Sequence, residues 1–145
     1  MILYNPDTPN KMLVCKRAPG ERQEPGTWGF VGGKVDMGET AAEAVIREVQ
    51  EEIGITVNHY KYIGSFQLED YTDFIFACTT WSGEIVLDPN ECSDYAWVTR
   101  EDLRNQIVCD EPATIFSFTQ ASLEFYDKWC DMHSSKGDIG GYRNE

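Results

Sequence analysis

The chain has 145 residues, 41% hydrophobic and 12% aromatic, which suffices for one packed core and is short for two. Twelve basic residues against 25 acidic ones give a formal charge of −13. The electrostatic footprint for duplex DNA, bulk RNA or an anionic membrane is therefore missing, and polyphosphate suits such a chain only where metal cations mediate. The longest clean apolar run, Phe74 to Cys78, is far below a membrane span, and neither a transmembrane helix nor a signal peptide is expected. Five cysteines, Cys15, Cys78, Cys92, Cys109 and Cys130, are odd in number and form no C-x-x-C pair, which argues against a disulfide framework and a zinc site. A cytoplasmic protein with reduced thiols is expected.

A short apolar piece, Ile2 to Tyr4, meets the turn Asn5-Pro6-Asp7-Thr8-Pro9-Asn10, and Lys11 to Arg17 reads as a strand, so the start of the chain reads as a hairpin. A loop rich in Gly, Pro and Glu leads to a short extended piece, Thr27 to Val31, that ends at Gly32-Gly33. Helical periodicity follows Gly38. Thr40 with Glu43 fits a capping box, Ala42, Val45, Ile46, Val49 and Ile53 recur on one face, and Gly54 stops the helix. Thr56 to Glu69, Thr72 to Trp81, Glu84 to Leu87 and Tyr95 to Val98 read as strands, with Thr99 to Leu103 as a capped helical turn. Pro112 is placed as the first residue of a final helix, whose stripe of Ile115, Phe116, Phe118, Ser122, Phe125, Tyr126 and Trp129 is expected in the core. This order gives a mixed α/β sandwich: one domain over residues 1–133 and a mobile tail over 134–145.

The chemistry concentrates between Gly32 and Ile55. At about 100° per residue, Glu48, Glu51 and Glu52 share one arc of the helix, with Glu52 only about 20° from the core residue Val45. Like charges at these spacings repel, by a few tenths of a kcal/mol per exposed pair and more when partly buried, and something should offset that. A hard divalent cation does so, because Mg²⁺ prefers carboxylate and water oxygens and is usually completed by substrate phosphates. Arg47 adjoins Glu51 and is placed to hold a carboxylate through a bidentate pair. The plain alternative is a solvated acidic face, common in so acidic a chain.

The spacing decides between them. Gly33, five residues, Glu39, seven residues, Arg47-Glu48-Val49, one residue, Glu51-Glu52, one residue, Gly54-Ile55 reproduces the 23-residue signature of the Nudix hydrolases. With roughly 5–7% usage per residue type, seven fixed residues coincide by chance on the order of once in 10⁸ to 10⁹ placements. The segment Trp28 to Glu39 also resembles the MutT-type, nucleotide-sanitising branch, and the resemblance runs from about Lys11 to Trp97, more loosely to the final helix.

The resemblance implies an α/β/α sandwich with a mixed sheet, in which the signature forms a loop–helix–loop and Mg²⁺ or Mn²⁺ is held by Glu48, Glu51 and Glu52, with the Gly32 carbonyl as a further ligand. Glu91, six residues ahead of Trp97, stands where similar enzymes place another Glu, as a metal ligand or as the base that deprotonates the attacking water; a loop carboxylate is the alternative. By the same resemblance Arg17 meets phosphates. Lys34 either does so too or pairs with a neighbouring acid, and Glu39 and Arg47 brace the loop against the helix. Asp110, placed at the mouth of the final helix, stands where similar enzymes read the base edge, with Phe74 or Phe76 as the apolar half of the pocket; the alternative for Asp110 is a carboxylate favoured by the helix dipole. The cysteines, His59 and His133 carry no catalytic signature and are read as packing or surface residues.

The reaction implied is attack of water on one phosphorus of a nucleoside diphosphate linked to a group X. Marks of the ADP-ribose and dinucleoside polyphosphate subfamilies are absent, since Tyr71 and Asp73 stand where those would show Pro and Tyr. The leading substrate is a nucleoside triphosphate such as dGTP or 8-oxo-dGTP, cut to monophosphate and pyrophosphate. ADP-ribose or a nucleotide sugar is the runner-up, and a catalytically silent Nudix-fold regulatory module is the non-enzymatic alternative. The expected partner is a small nucleotide, with no duplex nucleic acid and no membrane, and the assembly is a monomer or homodimer.

Overall fold

Two strands carry runs of four consecutive buried residues, Met12–Cys15 and Ile75–Cys78, where a sheet with one solvated face would alternate. Both faces of the central sheet layer must therefore be covered. The computed structural model, which describes residues 1–134, shows how. Strand parity divides these runs between two clusters. Leu13, Cys15, Phe76 and Cys78 pack with Val45, Val49 and Ile53 of helix α1 (Ala41–Ile53), and Met12, Val14, Ile75 and Ala77 pack with Leu123 and Tyr126 of helix α3 (Ser117–Ser134). The result is an α/β/α sandwich with one helix against each face.

The middle layer consists of two three-stranded sheets. In one, β5 (Tyr71–Ser82) lies between β1 (Ile2–Leu3), parallel to it, and β4 (Thr56–Leu68), antiparallel; in the other, β2 (Lys11–Arg17) lies between β3 (Trp28–Gly29) and β6 (Cys92–Thr99), both antiparallel. The expected hairpin at the start of the chain reduces to a single bridge, Tyr4 to Met12, because β1 takes its ladder from β5 instead. That bridge stitches the two sheets together, and a hydrogen bond between the Tyr4 and Tyr126 hydroxyls ties the seam to α3.

Helix α2 (Arg100–Arg104) is capped by Thr99 and Asp102 as the sequence suggests. Two expectations fail. Residues 84–87 add no strand; the Val86 and Asp88 amides donate instead to the Ile53 and Glu52 carbonyls, both at 2.9 Å, satisfying acceptors that the end of α1 leaves free. Pro112 does not begin the last helix. It lies in the small hairpin of β7 (Ile107–Val108) and β8 (Glu111–Pro112), whose turn puts Cys109 and Asp110 at φ 53° and 64°. Two successive left-handed residues make this a tight hairpin turn, and the ladder it closes overrides the preference of proline for a helix start. Helix α3 begins at Ser117, whose amide and hydroxyl donate to the Glu24 carboxylate at 3.0 and 2.6 Å. Ile115 thus reaches the core from outside the helix, by a bridge to Trp28. Apart from Ser134, the tail expected to be mobile lies outside the described residues.

Candidate active site

Helix α1 is built to hold its acidic face still. The Thr40 side chain accepts from the Glu43 amide, the Glu43 carboxylate accepts from the Thr40 amide, and Gly54 closes the helix at φ 76°, a conformation that favours glycine. The loop before the helix is held by Arg47. Its Nε and Nη2 donate to the two Glu39 oxygens at 2.7 and 3.0 Å, and Nη2 also reaches the Lys34 carbonyl at 3.3 Å. Glu39 in turn accepts from the Asp36 amide at 2.9 Å. These contacts, the Arg47 pairing first, hold the Glu39 carboxyl below the usual carboxylate range.

Against this frame stand three carboxylates. One oxygen from each of Glu48, Glu52 and Glu91 lies within 4.8 Å of the other two. Glu52 is only 8% exposed. Burial, followed by a proton shared with Glu48, pushes the Glu52 carboxyl up to about 10. Burial and the nearby Glu21 carboxylate raise Glu91 as well. Glu21 was not singled out by the sequence, being one of many acids in a loop.

The third acid of the signature is placed elsewhere: Glu51 is 57% exposed at its side chain and accepts from Arg47 Nη1 at 3.1 Å. The steric demand for glycine falls on Gly33. A Cβ there would lie 2.3 Å from the Glu48 carboxylate, whereas one on Gly32 would meet open space. Close approach of backbone to a carboxylate is thus a property of this loop, one residue later than the carbonyl expected to ligate.

Two tests of the donor set favour a hard divalent cation. Its three side chains offer carboxylate oxygens only, and burial together with the Glu48 contact keeps a proton on Glu52 that a cation would replace. Carboxylates converging this closely are costly when ionised, and among the described residues Arg47 reaches one of the three, Glu48, at 3.4 Å.

The acids line a cleft of about 800 Å³, which is the size of a small-molecule site. Gly32, Gly33, Lys34 and Arg17 line it as well. The Arg17 guanidinium lies 4.2 Å over the Phe116 ring and its Nε donates to the Gln23 carbonyl at 2.9 Å. Beyond it the wall becomes aromatic. Phe116 stacks on Phe118 at 5.4 Å and Phe118 meets Tyr71 at 5.7 Å, while Phe74 and Phe76 line the β5 side. Asp73 and Ser122 supply a polar spot, the Ser122 hydroxyl donating to Asp73 Oδ2 at 2.6 Å.

Asp110 is not among the residues lining the cleft; it is exposed at the tip of the β7–β8 turn, away from any helix mouth. Cys15 and Cys92 are buried at the cleft wall, Cys78 is buried, Cys130 is half-buried and Cys109 is exposed. His59 contacts Thr80 and His133 stacks on Trp129, both outside the lining.

Besides Glu21, the cleft residues whose place the sequence reading missed are Asp73, Ser122, Phe116 and Phe118. Phe116, Phe118 and Ser122 looked like core because they continue a helical stripe. Asp73 was legible in principle, because it shares strand parity with Ile75 and Ala77, and an acid on an inward face is an anomaly.

Fold and site define a class: an α/β/α sandwich with an acidic loop–helix–loop lining a cleft. A family model for the NUDIX domain matches residues 1–117. Nucleoside triphosphatase NudI of Enterobacter sp. (strain 638) is 33% identical over 126 residues, 77% of this chain and 87% of that protein. The NudI of Escherichia coli O139:H28 is 32% identical over 106 residues, 63% of this chain and 74% of that one. Among solved structures, the MutT Nudix hydrolase of Burkholderia pseudomallei aligns with TM-score 0.66 and 26% identity over 79% of this chain and 87% of that one. The MutT protein of Methanosarcina mazei Go1 shares the fold at TM-score 0.70 and 24% identity, over 92% and 90%. The chain belongs to the Nudix hydrolase family, in its MutT-like group. It is a pyrophosphohydrolase, with nucleotide hydrolysis as its general chemistry.

Proposed function

We propose that the protein hydrolyses nucleoside triphosphates to a monophosphate and pyrophosphate with Mg²⁺, or Mn²⁺ in its place. The observation that carries this reading is one cleft lined by three converging carboxylates, an aromatic wall and a polar spot formed by Asp73 and Ser122. That lining suits a ligand that joins phosphates to a base. The first two relatives, named as nucleoside triphosphatases, support it.

Glu48, Glu52 and Glu91 would hold the metal, which when bound neutralises phosphate charge and lowers the pKa of water. The side chains do the rest. Arg17 and Lys34 draw phosphate oxygens toward the acids, and Phe74 with the Phe116–Phe118 wall packs the base. Arg47 and Glu39 keep Gly33 against Glu48. Glu91, less buried than Glu52 and with a raised pKa, is the carboxylate suited to take a proton from water.

A panel of nucleoside triphosphates, ADP-ribose, nucleotide sugars and dinucleotides tests this with and without Mg²⁺. Fastest metal-dependent turnover of a triphosphate, releasing pyrophosphate, is expected; fastest turnover of ADP-ribose or a sugar nucleotide would overturn the substrate assignment.

A further inference from the structure

We infer that Asp73, oriented by Ser122, selects the base of the nucleotide and favours guanine; this rests on the proposed triphosphate reading. Asp73 occupies a position where an acid is hard to explain by folding alone. It lies on β5 with the parity of the fully packed Ile75 and Ala77, half-buried, at the cleft wall. Among the described residues no Lys, Arg or His side chain forms an ion pair with it. The cationic group that feels Asp73 is the Met1 amino group, whose burial lowers its pKa to about 6 and which donates to the Val31 carbonyl at 2.8 Å.

The carboxylate is nevertheless fixed. Ser122 is buried on α3 and donates to Oδ2 at 2.6 Å, which ties the carboxylate on β5 to the helix. The neighbouring hydroxyl, Thr119 Oγ1, accepts from the Phe30 amide at 3.0 Å.

An ionised carboxylate accepts and does not donate, so a fixed one reads a base by its N–H groups. Guanine presents two adjacent donors, N1–H and the 2-amino group, which match two carboxylate oxygens. Adenine and cytosine set one amino donor beside a ring nitrogen acceptor that the carboxylate repels. Uracil and thymine offer one N–H flanked by two carbonyls. The aromatic wall supplies affinity for any of these rings, so discrimination falls to Asp73. A site built to pair polar groups rejects a ligand that leaves them unpaired far more strongly than an apolar pocket rejects a wrong shape.

The test is kcat/KM for GTP, ATP, CTP and UTP, with calorimetric binding of GMP and AMP, on the wild type and on Asp73→Ala, Asp73→Asn and Ser122→Ala. The wild type should prefer GTP. Asp73→Ala should lower kcat/KM for GTP by about tenfold or more through KM, and that for UTP by less than about threefold. Asp73→Asn, nearly isosteric, should move the preference toward ATP and CTP, whose edges match its donor and acceptor. Ser122→Ala should follow Asp73→Ala by a smaller factor. A wild type without guanine preference, or an Asp73→Asn variant with unchanged base ratios, would overturn the inference while leaving triphosphate hydrolysis intact. Should the wild type hydrolyse no triphosphate, the proposed function fails; GMP binding over AMP that disappears in Asp73→Asn would still uphold the base reading, and equal binding would overturn it.

Discussion

Glu52 shows how a single side chain can be at odds with its surroundings until its ligand arrives. Its carboxyl is buried beside Glu48, and its pKa rises from an ordinary 4.5 to about 10. Between those values the folded, metal-free protein keeps a proton that the unfolded chain has lost. Its contribution to stability is therefore full below pH 4.5 and declines as pH rises toward 10. Thermal melts of the metal-free protein should fall across that window, and Glu52→Gln, which cannot ionise, should flatten the decline. A wild-type melting profile that rises from pH 5 to 9 without metal, or one that Glu52→Gln leaves unchanged, would contradict the assignment. This burial was legible from the sequence, since Glu52 sits next to Val45 on the helical wheel. Its partner Glu91 was placed only by resemblance, because no local period connects a loop after β5 to a helix some forty positions earlier.

At the scale of elements, the loop of residues 33–39 and helix α1 act as one piece, joined by Arg47 and by the contact of Gly33 with Glu48. Gly33→Ala should displace the Glu48 side chain, since a Cβ at 2.3 Å cannot be accommodated. The expected result is a metal requirement raised by about tenfold or more at little cost in folding, because the carboxylate can swing toward solvent while the capped helix stays intact. Metal titration of activity beside a melting curve checks this; an unchanged metal midpoint contradicts it. Helix α1 was readable to its caps because its signals are local: Thr40, Glu43 and Gly54 each act within one turn. The start of α3 was not, since Pro112 is compatible with both a helix and a hairpin, and the choice is made by pairing with Ile107. The same mistake moved Asp110 from an expected helix mouth to a turn. Residues 84–87 look like a strand, but the Val86 and Asp88 amides go to carbonyls at the end of α1 instead of to a sheet.

On the scale of the whole molecule, the cleft opens where helices α1 and α3 and the two three-stranded sheets contribute walls, so ligand binding and folding are linked. A divalent cation that binds only the folded acid cluster stabilises the protein by mass action, by about 2.7 kcal/mol at a hundredfold excess over its Kd. The melting temperature should rise with Mg²⁺ or Mn²⁺ concentration, and Glu48→Gln should remove most of the rise. A midpoint indifferent to both ions up to millimolar levels contradicts a site formed before nucleotide binds. Among the described residues no helix is long and apolar enough to cross a membrane. The mixed α/β sandwich was legible in the element order, and its α/β/α layering in the resemblance. The parallel placement of β1 beside β5 was not, because two residues carry no register information of their own.

The measurement closest to the central claim is pyrophosphate release from a nucleoside triphosphate by wild-type protein and by Glu52→Gln, each across a Mg²⁺ titration. The account predicts metal-dependent release of pyrophosphate and monophosphate in equal amounts by the wild type, and a kcat lower by at least about 10²-fold in a folded Glu52→Gln. Turnover that persists without divalent metal, or near-wild-type turnover by Glu52→Gln at saturating Mg²⁺, would contradict it.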